Sequence, residues 1–213
     1  MTRSLSLPKG PRQIVLATHN PHKVEEFQAI VAATRPDIEV VGYDGPEPVE
    51  DGVTFAENAM IKARAAAAHT GLPALADDSG VCVDVLGGSP GVFSAYWAGH
   101  AKDAVANLNL LLDQISDIAD PHRTAQFVST IALVVPSADG GAPAEHVVEG
   151  VWPGRIATAP SGDGGFGYDP VFVPDGQEPG AERSVGEWTA DEKNAASHRS
   201  RAFVALAPLL SSL

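Results

Sequence analysis

Residues 73–86 read PALADDSGVCVDVL, an adjacent carboxylate pair, Asp77 and Asp78, set between two apolar runs. Short continuous apolar runs rich in valine read as buried strand. An ionised carboxylate in a buried strand is costly unless a cation or several hydrogen bonds compensate it, so an acidic pair at a strand end points to a metal or a catalytic base. The competing reading is a plain turn, for which Asp-Ser-Gly is ordinary chemistry. This stretch alone leaves both open. In extended chain, adjacent side chains point to opposite sides, so Asp77 and Asp78 are not expected to aim at one ion. One then holds metal or activates water, while the other orients the backbone or neighbouring donors.

On the N-terminal side of this stretch, Thr54 and Glu57 form a T-x-x-E capping box ahead of an alanine-rich helix that runs to about His69, with Gly71 as its stop. Further out, residues 38–41 read as a strand followed by a surface loop, GYDGPEPVEDG. Residues 14–17 are a short apolar run ending in Thr18-His19-Asn20-Pro21, after which Val24, Phe27, Ile30 and Val31 recur at helical spacing. Asn20 suits the N-cap and Pro21 the first helical position.

On the C-terminal side, GGSPG leads to a leucine-rich helix over 103–115, with Leu108, Leu111 and Leu112 on one face. Residues 124–135 and 145–156 read as long strands joined by SADGGAP into an antiparallel hairpin. The glycine-rich SGDGGFGYDP follows, then a short strand in PVFVP. Thr189 and Glu192 repeat the capping-box spacing, and after SHRSR the segment AFVALAPLLSSL has the composition of a packed closing helix. There is no internal repeat or low-complexity linker, so residues 1–213 are read as a single domain.

The formal net charge of -13, from 14 basic against 27 acidic residues, disfavours a sequence-independent grip on nucleic acid. An anionic ligand must therefore be met by local donors or a divalent cation. Cys82 is the only cysteine, which excludes an internal disulfide and a cysteine-cluster zinc site. Residues 1–13, MTRSLSLPKGPRQ, lack the continuous apolar core of a signal peptide, and no segment approaches bilayer-spanning length. The expected location is the cytoplasm, away from membranes.

Several segments could carry chemistry. THNPHK puts a helix N-terminus directly after a strand, where free N–H groups favour an anion and Lys23 adds a cation; an ordinary capped helix with a surface lysine is the plain alternative. No Walker loop and no dinucleotide fingerprint is present. Glu50, Glu57, Asp77 and Asp78 lie near enough in sequence to converge, and oxygen ligands of this kind suit magnesium, which takes one or two carboxylates and shares phosphate oxygens. In the glycine-rich loop, Phe166 and Tyr168 could stack on a planar base or tuck into the core. Lys193, His198 and Arg199 form a basic cluster able to neutralise phosphate, or else a solvated helix face.

Taken together, ATHNPHK, EDGVTFAENAMIKA, LADDSG, GGSPGVFSA, GDGGFGYDPVF and EKNAASHR occur in the order found in the Ham1/RdgB family of non-canonical purine nucleoside triphosphate pyrophosphatases, which the chain resembles from about residue 14 to its end. The resemblance implies an elongated mixed α/β fold of two lobes with a central active-site cleft, usually a homodimer. The strand and helix order fits that fold, though periodicity alone does not deliver it. It further implies hydrolysis of ITP, dITP and XTP to the monophosphate and pyrophosphate, with one Mg2+ ion per active site, cleansing the nucleotide pool.

Carried over position by position, the resemblance gives Thr18, His19, Asn20, Pro21, His22 and Lys23 to the triphosphate, and Glu50 and Asp78 to the metal. Asp78 is also the water-activating base. Lys62 is a further phosphate partner and Ser79 touches substrate. Phe166, Gly167, Tyr168 and Asp169 line the base pocket, while Lys193, His198 and Arg199 complete base and phosphate recognition. One departure stands out: many bacterial members read Ser-Ala-Arg after GGSPG, where this chain has Ser94-Ala95-Tyr96. The alternatives are a Maf-like pyrophosphatase for other modified nucleotides, a purine nucleotide sensor without turnover, and a nuclease, which the acidic chain disfavours.

Overall fold

The apolar run near the N-terminus becomes the parallel part of a sheet. β1 (Arg12–Leu16) buries Ile14, Val15 and Leu16 and pairs in parallel with β2 (Ile38–Gly42) and with the start of β3 (Ala74–Val83). Parallel neighbours need crossover connections, supplied here by α1 (Pro21–Thr34) and α2 (Phe55–Thr70). The computed structural model describes residues 12–211 and 213, so the reading of the first 11 residues lies outside the described residues.

The remaining strands are antiparallel. β4 (Thr124–Val135) and β5 (Ala144–Ile156) form the expected hairpin, and β6 (Phe172–Pro174) pairs with the end of β5. The sheet order is β2-β1-β3-β4-β5-β6, a mixed sheet in an α/β fold.

LADDSG is neither a turn nor a strand end. β3 runs straight through it, with Asp77, Asp78, Ser79 and Gly80 laddered to Ile131, Thr130, Ser129 and Val128 of β4. The turn preference of Asp-Ser-Gly is local and weak, and a continuous ladder overrides it. Gly80 is needed for a different reason: a Cβ there would overlap the Ser94 hydroxyl and the Gly91 carbonyl of the helical turn at Gly91–Tyr96.

Three packed clusters lie along the one sheet. On one face, Phe27 and Val31 of α1, with Phe203 and Leu206 of the closing helix, bury Leu75, Ile131 and Leu133. On the other, the small residues of α2 let it lie close against Ala74, Ala76 and Ala132. Beyond the middle of the long strands, Val81, Val83, Phe127 and Trp152 pack with Leu108 and Leu111 of α3 (Ala104–Gln114) and with Phe172. Asp77 and Asp78 fall between the clusters, on the part of β3 between Ala76 and Val81.

The closing helix starts earlier than composition indicates. After α4 (Ala190–Ala196), Ser197 caps α5 (His198–Leu210), so SHRSR is cap and first turn, with His198 and Arg199 buried on it. This turn crosses β5 at Gly150, where an added Cβ would overlap the His198 carbonyl oxygen and the Ala202 nitrogen. Those are backbone atoms and cannot swing aside. Gly150→Ala is therefore expected to cost about 3 kcal/mol or more, read by urea unfolding, and to lower kcat/KM by displacing His198 and Arg199. An unchanged unfolding midpoint would show that α5 is not seated as described. No helix among the described residues is long and apolar enough to cross a membrane.

Candidate active site

The two carboxylates point to opposite faces of β3, as alternation requires. On the α2 face, Lys62 Nζ lies 3.0 Å from Asp78 Oδ1 and 2.9 Å from Glu50 Oε2, so one ammonium bridges two carboxylates. Burial lowers the Lys62 pKa, but the Asp78 and Glu50 charges outweigh it and the net shift is upward. Burial pushes the Asp78 carboxyl up, opposed in part by Lys62.

Glu50 reaches this point because its loop is fastened to the first turn of α2. The Glu57 carboxylate accepts from the Val53 and Thr54 N–H groups at 2.7 and 3.1 Å, and Asn58 Oδ1 accepts from the Gly52 N–H at 2.9 Å. Glu57 thus completes its capping box and does not join the acidic site.

On the opposite face Asp77 is buried and receives a short hydrogen bond from the Ser129 hydroxyl, 2.6 Å. Lys23 Nζ stands 3.5 Å from Asp77 Oδ2 and Arg199 Nε 3.4 Å from the same oxygen. Arg199 Nη2 also donates to Ser79 Oγ at 3.3 Å. Burial favours the neutral acid, yet the Arg199 and Lys23 charges and the Ser129 hydrogen bond hold the Asp77 carboxyl far below the usual carboxylate range.

The β1–α1 turn forms the facing wall. The Asn20 N–H donates to Thr18 Oγ1 at 3.2 Å, and Pro21 opens the helix as expected. Thr18, Lys23, Glu50, Lys62 and Asp77 share a polar pocket of about 170 Å³. His19 turns its side chain toward the acidic loop, and the His22 side chain lies outside the described residues. A larger cavity of about 380 Å³, lined by residues such as Ile14, Ile38, Val135 and Leu213, holds no carboxylate side chain and lies away from this chemistry.

The glycine-rich loop separates its two aromatics. Phe166 is 65% exposed, with Lys193 Nζ 4.4 Å and Arg199 Cζ 5.7 Å from its ring centre. Tyr168 instead belongs to the core, its hydroxyl donating to the Ser94 carbonyl at 2.9 Å, so its ring presents no open face to a base. Asp169 organises the loop, accepting from the Phe166 N–H at 2.7 Å and pairing with Lys193 at 2.5 Å. Gly165 is required beside it, because its φ is +72° and a Cβ would overlap the Asp169 carboxylate. Gly167 has φ +63° and nothing crowds it.

The basic cluster near the C-terminus is not a solvated face, and one member is uncharged. His198 is buried, stacked on Phe127 at 4.9 Å, and pulled down to about 3 by burial, with the Arg199 charge adding to the effect. Its Nδ1 has no hydrogen-bond partner among the described residues. The unfolded chain takes up a proton near the ordinary value of 6.5 while the native state does not. Stability is therefore expected to fall as pH drops from about 6.5 toward 3, by up to about 1.4 kcal/mol per pH unit from this group. His198→Phe should flatten the profile, measured as urea midpoints at pH 7 and 5; parallel profiles would count against a neutral buried His198.

The Ham1 family model matches residues 14–209. A protein of Leifsonia xyli subsp. xyli named dITP/XTP pyrophosphatase is 56% identical over 94% of this chain and 96% of its own length. One of the same name from Streptomyces coelicolor is 52% identical, covering 94% of this chain and 98% of its own length. The structure of a HAM1 protein from Coxiella burnetii superposes with a TM-score of 0.82 at 39% identity, over 95% of this chain and all of that one.

The chain belongs to the Ham1 family.

This Ham1 chain carries two site features that its sequence did not announce. Ser129 makes the shortest contact to Asp77, but a serine inside a long strand has no local signature; only the β3–β4 register brings it there. Glu47 joins the pocket wall from a loop whose acids look alike in sequence. Tyr96 stacks with His100 at 5.4 Å and meets Phe93 edge-on at 5.8 Å, and neither partner belongs to the acidic site. Burial lifts the Cys82 thiol to about 11, which leaves it protonated and unreactive at neutral pH.

The donor set around Glu50 and Asp78 fits magnesium. The Glu50 and Asp78 carboxylates converge on the Lys62 ammonium, and paired oxygen donors of this kind are what magnesium takes, its remaining shell being water and phosphate oxygens.

Proposed function

We propose that this Ham1 protein hydrolyses non-canonical purine nucleoside triphosphates, ITP, dITP and XTP, to the monophosphate and pyrophosphate. The observation that carries this reading is the division of labour across β3. Asp78, Lys62 and Glu50 gather on one side and Lys23, Arg199 and Ser79 around Asp77 on the other. The names of the relatives supply the substrate class.

Lys23, with the N–H groups at the start of α1, binds the phosphate chain. Lys62 adds charge beside the carboxylates. Glu50 and Asp78 would hold Mg2+, which when bound neutralises charge developing on the phosphate oxygens. Asp78 orients a water molecule and accepts its proton as the water oxygen bonds to the α-phosphorus. The bond from that phosphorus to the α–β bridging oxygen breaks, and pyrophosphate departs with the electron pair. The exposed Phe166 ring offers a face for the base. Lys193 and Arg199 stand beside that ring, and a 6-oxo purine accepts from donors that adenine's amino group cannot satisfy. The same reading has the protein working as a homodimer in the cytoplasm, on a small-molecule substrate and without nucleic acid or membrane.

The deciding experiment incubates purified protein and Mg2+ with ITP, XTP, dITP, GTP and ATP and scores pyrophosphate separately from orthophosphate. Pyrophosphate released mainly from the first three is expected. Orthophosphate as the product would make the protein a phosphatase, and tight binding without turnover would make it a sensor.

A further inference from the structure

The acidic loop that carries Glu50 is fastened at both ends. Its exit is tied to α2 through Glu57 and Asn58, while its start is organised around the buried ring of Tyr43. The Tyr43 hydroxyl donates to the Pro46 carbonyl at 3.0 Å, and a Cβ on Gly45 would overlap the phenol, so the backbone wraps the ring closely. His69 of α2 stands edge-on to the ring at 5.6 Å.

His19 closes the opposite side. Its ring stacks on Tyr43 with centroids 5.8 Å apart and 13° between planes. Its Nε2 lies 3.0 Å from the Gly45 carbonyl oxygen and its Nδ1 3.2 Å from Glu47 Oε1. A proton on Nε2 donates to the carbonyl. His19 sits between Thr18 and Asn20 on the β1–α1 turn, so all three contacts run from the phosphate-side wall across to the acidic wall.

We propose that His19 is a positioning residue, a latch that joins the β1–α1 turn to the acidic loop and so fixes Glu50 relative to Lys23 and Asp77. The role rests on Glu50 being a metal ligand, as proposed above. The Glu47 side chain is 76% exposed, so that ion pair contributes little, and the carbonyl bond and the ring stack carry the latch. A glycine- and proline-rich loop without helix or strand loses freedom when its ligand is set in place, and an anchor that removes that freedom beforehand strengthens binding.

Three variants separate the contacts. His19→Ala removes all of them, His19→Phe keeps the stack alone, and His19→Gln keeps a donor for Gly45. Amide hydrogen exchange over residues 43–50 is followed in the metal-free protein, and Mn2+ binding is titrated by electron paramagnetic resonance without nucleotide. His19→Ala is expected to speed exchange in the loop and weaken Mn2+ binding, each by about tenfold, with α2 and β3 unaffected. His19→Phe should fall between, and His19→Gln should recover most of the loss. Unchanged loop exchange in His19→Ala overturns the latch, whatever the enzyme does with ITP. Faster exchange with unaltered Mn2+ binding overturns the positioning role and leaves the pyrophosphatase reading standing. Mn2+ binding absent from the wild type removes the metal assignment of Glu50 and the positioning role with it.

Discussion

Replacing Asp78 with Asn is expected to lower kcat for pyrophosphate release by about 10³-fold or more while leaving the fold in place. The amide has the size of the carboxylate but cannot accept a proton from water and is a poor magnesium ligand. A thousandfold loss corresponds to about 4 kcal/mol of barrier. Stability should move little, for two reasons visible in the site. Burial already disfavours the charged form of Asp78, so an uncharged side chain relieves that cost. Lys62 is not abandoned, because Glu50 remains 2.9 Å from its ammonium. The unfolding midpoint should therefore stay within about 1 kcal/mol of wild type. Steady-state pyrophosphate release at saturating ITP and Mg2+, beside a urea titration, measures both. A kcat within tenfold of wild type would remove Asp78 as the base.

How much of this was legible depended on how local each signal is. The T-x-x-E box at Thr54 and Glu57, the Asn20-Pro21 helix start and the hairpin around SADGGAP are written within a few residues, and all three elements form where those signals lie. The opposite orientation of Asp77 and Asp78 followed from the two-residue period of extended chain. The continuation of β3 through Asp-Ser-Gly was not legible, because what decides it is pairing with β4, some 50 residues away. The same limit hid the burial of His198 and Arg199: their segment looks polar, and only Gly150 on β5 makes room for the helix that carries them. Phe166 and Tyr168 sit two residues apart and read alike, yet the Ser94 carbonyl draws one into the core and leaves the other exposed. The resemblance to a family resolved what periodicity could not, since it compares whole ordered sets of motifs.

Asp77→Asn should do the reverse of Asp78→Asn, damaging stability first. Asp77 is the buried counter-ion of Arg199, itself only 7% exposed, and of the half-buried Lys23. Removing one partner of a buried pair leaves the other charge uncompensated, which costs about 3–5 kcal/mol. The amide oxygen can still accept from Ser129, whose contact at 2.6 Å is shorter than either cation's, so the lower part of that range is expected. Steric and charge effects separate in a double-mutant cycle with Arg199→Met, which removes the stranded cation. If the pair acts as a unit, the double variant should be less destabilised than the sum of the singles by about 1–3 kcal/mol. Strict additivity in urea unfolding would mean that Asp77 stabilises the fold without Arg199. The long cation contacts, 3.4 and 3.5 Å, also bear on function, because they leave Arg199 and Lys23 able to turn part of their charge to phosphate. In the single variant KM for ITP should rise more than kcat falls, whereas loss of kcat alone would place Asp77 in the chemical step beside Asp78.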